Sequence, residues 1–259
     1  MKVLFIGDIM GKPGRRAIAR RLPKLVANEQ IDIVFGNGEN AAGGFGITPE
    51  LAQELFDQGL AVITLGNHAW DKKEIADYIR YEPRLLRPAN YPEGVPGRGS
   101  FVVETPAGER VAVLQLMGRA FMPTLDCPFQ VGRREVDRLK AETRAIIVDM
   151  HAEASSEKMA MGHYLDGDVS AVVGTHTHVQ TADEQILPNG TAYLTDIGMT
   201  GPIHSVIGIK KELAIEKFLT GMPRRFEVAT GPAVLSAVLI ELDGQLGKAI
   251  RIQRFRIPD

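Results

Sequence analysis

The chain has 259 residues, 44% hydrophobic and 24% charged, with a formal net charge of −2. That balance belongs to an ordinary soluble globular protein, long enough for one large α/β domain or two small ones. It supplies no global positive field to recruit nucleic acid, and the lone cysteine, Cys127, excludes an internal disulfide and suits a reducing cytoplasm.

The first residues, KVLFI (2–6), read as a buried strand. Their apolar run ends at Asp8, too short for a signal-peptide core, and no run approaches the roughly 18 residues of a membrane span. The expected location is therefore cytoplasmic. Residues 12–29, KPGRRAIARRLPKLVANE, predict a helix with Pro13 near its start and a kink or end at Pro23. Arg15, Arg16, Arg20, Arg21 and Lys24 form a basic stripe on it, read as a solvated face with an RNA end or an acidic partner as the alternative. IDIVF (31–35) is a second strand. Thr48 as N-cap, Pro49 at the first helical position and Gly59 as the stop bound a helix. AVITL (61–65) is a third strand, and Asp71 with Glu74 predicts a capping box for a helix over 71–79.

RPANYPEGVPGRG (87–99) reads as a loop, and Gly99–Leu116 as a hairpin whose edge could serve self-association into a homo-oligomer. AIIVDM (145–150) and VSAVV (169–173) are further strands, separated by a helix in SSEKMAMGHYLDG (155–167) that Gly167 closes. A late helix in KKELAIEKFLTGM (210–222) precedes a last hairpin turning at Asp243-Gly244. Short apolar runs bounded by Gly, Asn or Asp are what buried parallel strands look like. The expected fold is α/β, two packed sheets with helices outside, as a single domain over 1–259.

Ligands in open α/β sheets gather beyond the carboxyl ends of strands. Five such ends carry Asp8; Glu39 and Asn40 in GNGEN; Asn67 and His68 in GNHAWD; His151; and His176 and His178 in VVGTHTHVQ. On an extended backbone His176 and His178 would aim at one point. Imidazoles, carboxylates and amide oxygens without a thiolate suit Mn, Fe, Co or Zn, and neither an oxygen-only calcium cage nor a cysteine-rich structural zinc site. The donors exceed one catalytic ion's needs and fill two, a standard device for phosphate ester hydrolysis.

With GDIMGKPGR, GENAAGGFGIT, GNHAWD, HAEASSEKMAMG and GTHTHVQTAD…TDIGMTGP, the chain resembles the calcineurin-like metallophosphoesterase superfamily, and within it the YmdB-like branch. The resemblance implies a four-layer metallophosphoesterase-type sandwich of two mixed sheets flanked by helices. It also implies a dinuclear phosphodiesterase acting on 2′,3′-cyclic nucleotides such as 2′,3′-cAMP. Glu39 would bridge two metals, with Asp8 and His178 on the first and Asn67, His151 and His176 on the second; iron or manganese leads, with zinc or cobalt behind. A metal-bridging hydroxide would attack phosphorus, and His68 would be the proton donor. The chain departs from the superfamily at Met10, where a histidine ligand is usual, at Glu39 in place of Asp, and at Ala69 in place of an acid. Asn40 is the expected substitute ligand, and Asp71 the nearest group to orient His68.

Phosphomonoesterase or nucleotidase activity, and a metal- and nucleotide-binding regulator with little turnover, are the alternatives. Small phosphoesters are the expected ligands, with RNA ends or protein partners as further candidates. GDIMGK has the wrong spacing for a phosphate-binding P-loop, and no G-x-S-x-G elbow supports serine hydrolysis. Trp70 and Tyr91 could stack on a base, although packing is the expected role of Trp70. His163 and His204 are expected to be ordinary surface or packing residues.

Overall fold

Apolar runs with buried side chains on both faces build the centre of the molecule, seen in a computed structural model that describes all 259 residues. In chain order the elements are β1 Lys2–Ile6, α1 Gly11–Glu29, β2 Ile33–Asn37, α2 Pro49–Asp57, β3 Val62–Thr64, α3 Ile75–Tyr78, β4 Leu85–Leu86, β5 Ser100–Glu104, β6 Arg110–Met117, α4 Pro128–Leu139, β7 Ala145–His151, α5 Ser155–Tyr164, β8 Ala171–Thr175, β9 Gln185–Ile186, β10 Ala192–Leu194, β11 Gly201–Pro202, α6 Lys211–Thr220, β12 Ala233–Asp243 and β13 Lys248–Pro258.

The first sheet has seven strands, in the order β11-β12-β1-β2-β3-β4 with β13 paired to β12. Its β1 to β4 run parallel, and β12 is antiparallel to β1. The second sheet is ordered β5-β6-β7-β8-β10-β9, with β6, β7, β8 and β10 parallel and short antiparallel strands at both edges. Alternation along β1 sends Val3 and Phe5 to one face and Leu4 and Ile6 to the other. Phe5 and Phe35 join Val113, Ile147 and Val173 in the core between the sheets. Leu4 and Ile6 share a core with Ile18 and Leu22 of α1 and Leu55 of α2. On the far side, Leu114 and Val148 share a core with Val136 of α4 and Met161 of α5. The result is helix, sheet, sheet, helix: a four-layer α/β sandwich.

Several local features differ from the sequence expectation. Pro23 neither ends nor interrupts α1, which continues to Glu29. The ring removes the donor for the Ala19 carbonyl, but Ala19 and Pro23 are both exposed, so water reaches that oxygen, while Leu22 and Leu25 stay buried on the opposite face. The helix expected over 71–79 shrinks to Ile75–Tyr78, because the Asp71 carboxylate meets His68 Nδ1 at 2.8 Å instead of capping a backbone N–H. The helix α4 begins at Pro128, its first helical position, and buries Val131, Val136 and Leu139, a pattern the chain-order expectation lacks. Much of the basic stripe on α1 is latched to the chain itself. Arg15 meets Glu54 at 3.1 Å and the Ala41 carbonyl at 2.6 Å, while Arg16 and Arg20 bind Asp259 at 2.8 and 2.9 Å. No helix is long and apolar enough to cross a membrane.

Candidate metal centre

The chain leaves each buried parallel strand at one common edge of the sandwich, and its reactive polar residues begin there. β1, β2 and β3 of the first sheet deliver Asp8, Glu39, Asn40, Asn67 and His68, while β7 and β8 of the second deliver His151, His176 and His178. The group therefore straddles the seam between the sheets. Asp8, Glu39, Asn40 and His151 are all buried.

One set of donors gathers around His151. Its Nε2 lies 3.0 Å from Glu39 Oε1, 3.0 Å from Asn67 Oδ1 and 3.1 Å from His176 Nδ1. Ligand atoms of Glu39, His151 and His176 all fall within 4.8 Å of one another. A second set adjoins it: His178 Nε2 lies 3.3 Å from Asn40 Oδ1 and 3.9 Å from Asp8 Oδ1. The sets are stitched together by the His176 backbone N–H, which donates to Asp8 Oδ2 at 3.1 Å. The other Glu39 oxygen, Oε2, accepts the His68 backbone N–H at 3.0 Å.

Surrounding groups aim these donors inward. Thr175 donates its hydroxyl proton to Asp149 at 2.7 Å, so its oxygen accepts from His151 Nδ1 at 2.8 Å and Nε2 faces the cluster. His178 Nδ1 donates to the Ile207 carbonyl at 2.8 Å, which turns its Nε2 toward Asp8 and Asn40. Asn40 Nδ2 donates to the Gly44 carbonyl at 3.0 Å and presents its oxygen to His178. Lys158, itself buried, donates to the Thr175 carbonyl and to Asp196 Oδ2, each at 2.7 Å. That same Asp196 oxygen accepts from the Thr177 backbone N–H and hydroxyl at 3.1 and 2.8 Å. The histidine-bearing loop thus rests on a buried ion pair. Asp149, Lys158, Thr175 and Asp196 escaped the sequence reading; the available signal was a charge inside otherwise apolar runs, as in AIIVDM and TDIGM.

The two loop histidines do not follow the extended geometry expected of alternate positions. His176 has φ 98° and His178 φ 65°, both in the left-handed region that non-glycine residues seldom adopt. This backbone sends His176 to the His151 set and His178 to the Asp8 set. Gly66 is where the chain passes closest to the cluster: a Cβ there would lie 2.3 Å from His151 Nε2 and 2.6 Å from Glu39 Oε2.

The donor set suits cations. Carboxylate oxygens, amide oxygens and imidazole nitrogens crowd together, and buried Asp8 Oδ1 has no hydrogen-bond partner. Charges couple strongly across the group. Burial opposes ionisation of Glu39, but the His151 ring holds its carboxyl down at about 2. Burial also opposes a charged His151, yet Glu39 and the further charges of Asp8 and Asp149 lift it to about 9. Burial and the neighbouring His151 push His176 down to about 3, and burial raises Asp8.

His68 stands apart from the cluster by its ring. Its Nδ1 is 2.8 Å from Asp71, and its ring packs edge-on to Phe45 with centroids 5.1 Å apart. It lines a cavity of about 380 Å³ that also touches Glu39, Asn40, His176 and His178. Trp70 packs against the helix-side core and meets Tyr91 edge-on at 5.9 Å. His163 and His204 are exposed and lie outside the cluster.

A four-layer sandwich with carboxylates, amides and histidines converging at the strand ends defines a calcineurin-like metallophosphoesterase, a metal-dependent phosphoester hydrolase. Comparisons narrow the class. A family described as YmdB-like protein matches residues 4–255, and the chain belongs to that family. It is 49% identical over 259 residues to a 2′,3′-cyclic-nucleotide 2′-phosphodiesterase of Bacillus subtilis, covering 100% of this chain and 98% of the relative. A solved structure from Thermus thermophilus superposes with a TM-score of 0.94 at 44% identity, with 100% of both chains covered. Another, described as a novel phosphatase of Mycoplasma pneumoniae, gives 0.93 at 36% identity over 100% of this chain and 93% of its own.

Proposed function

We propose that the chain is a two-metal phosphodiesterase that opens 2′,3′-cyclic nucleotides such as 2′,3′-cAMP. The observation that carries this reading is the division of the donors into two adjoining sets, one around His151 and one around Asp8. In this reading Glu39 would serve both ions, Asn67, His151 and His176 would hold one, and Asp8, Asn40 and His178 would hold the other. What such ions supply when bound is charge neutralisation at the phosphate and water acidified toward neutral pH. Imidazole with oxygen donors and no thiolate favours iron or manganese over softer choices.

The chain's own groups do the rest. Asp71 occupies His68 Nδ1, so a protonated His68 carries its other proton on Nε2, free to pass to the leaving oxygen. The Bacillus subtilis relative is named for the 2′ ester, and we assign O2′ as the leaving oxygen here: water adds to phosphorus, the O2′ bond breaks, and a 3′-nucleotide results. Phe45, Ile207 and Phe226 give the same cavity an apolar side suited to a base.

A second reading, phosphomonoester hydrolysis, draws on the description of the Mycoplasma pneumoniae structure as a phosphatase. Turnover of 2′,3′-cAMP, bis-p-nitrophenyl phosphate and p-nitrophenyl phosphate with Mn²⁺, beside Asn67→Ala as control, separates the readings. The diesterase reading expects 2′,3′-cAMP to give 3′-AMP and the variant to lose turnover. Preference for the monoester overturns it, and no turnover of any substrate points to a regulator that binds without reacting. Metal content of protein purified without added metal identifies the native ions.

A further inference from the structure

Away from the metal centre, a cavity of about 840 Å³ opens between the turn after α3, the 87–99 loop and the β5–α4 side of the second sheet. It shares no lining residue with the cavity at the histidine cluster. Its charged lining consists of Arg80, Arg87, Arg98, Arg110 and Arg138 against Glu135 and Glu142. Five positive and two negative groups leave a net +3 in one hollow of a chain whose formal net charge is −2.

Both carboxylates are already engaged. Glu142 meets Arg110 and Arg138 at 3.2 Å each, and Glu135 meets Arg138 at 3.1 Å. The remaining three guanidiniums have no acidic partner within 4.0 Å. Arg87 is only 9% exposed and donates to the carbonyls of Pro88, Pro96 and Val95 at 2.8, 3.0 and 3.3 Å, neutral partners rather than a carboxylate in contact. Arg80 and Arg98 are exposed; neither guanidinium has a hydrogen-bond or ion-pair partner, and Arg98 lies 5.9 Å over the Phe101 ring.

Like charges held around one concavity repel each other unless an anion joins them, and guanidinium forks match phosphate oxygens. Two free forks beside a buried third call for more than one phosphate. The volume falls in the range of small-ligand sites, roughly 300–1,000 Å³. Tyr81, 85% exposed among the lining residues, offers an aromatic face for a base. We propose that this cavity is a second ligand site that takes a nucleoside di- or triphosphate, with Arg80 and Arg98 on its phosphates.

Titration calorimetry of the metal-loaded full chain with the non-hydrolysable ATP analogue AMP-PNP tests this directly. The parent should bind, pyrophosphate should compete, and adenosine should not. The double variant Arg80→Ala/Arg98→Ala should bind at least about tenfold more weakly. Its melting temperature and its turnover of active-site substrate should match the parent's, since both side chains are exposed and unpaired. No binding by the parent, or a double variant within about twofold of it, overturns the proposal. Arginine-dependent binding of single-stranded RNA without AMP-PNP binding also overturns it, in favour of a nucleic-acid path. The binding arms are read without reference to turnover, so they stand apart from the reaction assigned to the metal centre.

Discussion

Lys158 and Asp196 form an ion pair at 2.7 Å with neither side chain open to water, directly beneath the loop that carries His176 and His178. Replacing Lys158 by Met would strand the Asp196 carboxylate in the interior. Breaking a buried pair from one side costs about 3–5 kcal/mol. The Lys158→Met protein should show that loss in urea unfolding and should retain less metal, because the Thr175 carbonyl loses its donor and Asp196, which holds Thr177, loses its counter-charge. A change under about 1 kcal/mol would contradict the anchoring role.

Gly66→Ala tests the close approach of backbone to cluster. The new methyl would need to lie 2.3 Å from His151 Nε2 and 2.6 Å from Glu39 Oε2, so both side chains must move. Misplacing catalytic groups by about 1 Å costs about 10²-fold in rate. We expect turnover to fall by at least about that factor and metal content, read by mass spectrometry, to drop with it.

His68→Ala separates proton donation from metal holding. The ring lies outside the metal cluster, and only the backbone N–H of this residue touches Glu39, so the variant should keep its metal. Loss of a general acid lowers kcat by about 10²–10⁴-fold. Asp71→Asn should move kcat in the same direction by less. An unchanged kcat in His68→Ala with metal retained would remove it from the mechanism.

Chelator-stripped protein should respond to pH in the opposite sense to metal loading. His151 is raised from its ordinary 6.5 to about 9 by Glu39, Asp8 and Asp149 against the opposing effect of burial. A raised histidine pKa contributes stability that is full below about 6.5 and is lost as pH rises through about 9. The melting temperature of the stripped protein should therefore fall across that window. A cation needs the neutral ring, so apparent metal affinity should rise about tenfold per pH unit up to the same limit. Calorimetry in buffers of different ionisation enthalpy should show a proton released on loading below about pH 9.

The positions of most elements were legible because their causes are local. KVLFI, AVITL and AIIVDM are continuous apolar runs, the mark of parallel strands buried on both faces. Thr48 caps α2 through the Leu51 backbone N–H, with Pro49 at its start, as short-range chemistry dictates. Polar residues after such runs mark where the chain leaves the core, and Asp8, Glu39, Asn67, His151 and His176 follow KVLFI, IDIVF, AVITL, AIIVDM and VSAVV in that way. Pro23 misled because its effect on a helix depends on which face is wet, a tertiary property.

The sequence by itself therefore determined the longer strands, the α/β class and the chemical types at the strand ends, since each follows from side chains near one another in the chain; the two- and three-residue strands β4, β9, β10 and β11 are too short to leave such a pattern. Only the tertiary structure decided which sheet each strand joined, how His176 and His178 part company, and that Lys158 finds Asp196 across 38 positions. Those outcomes rest on contacts between remote segments and on left-handed backbone held in place by its surroundings, and no local pattern encodes either.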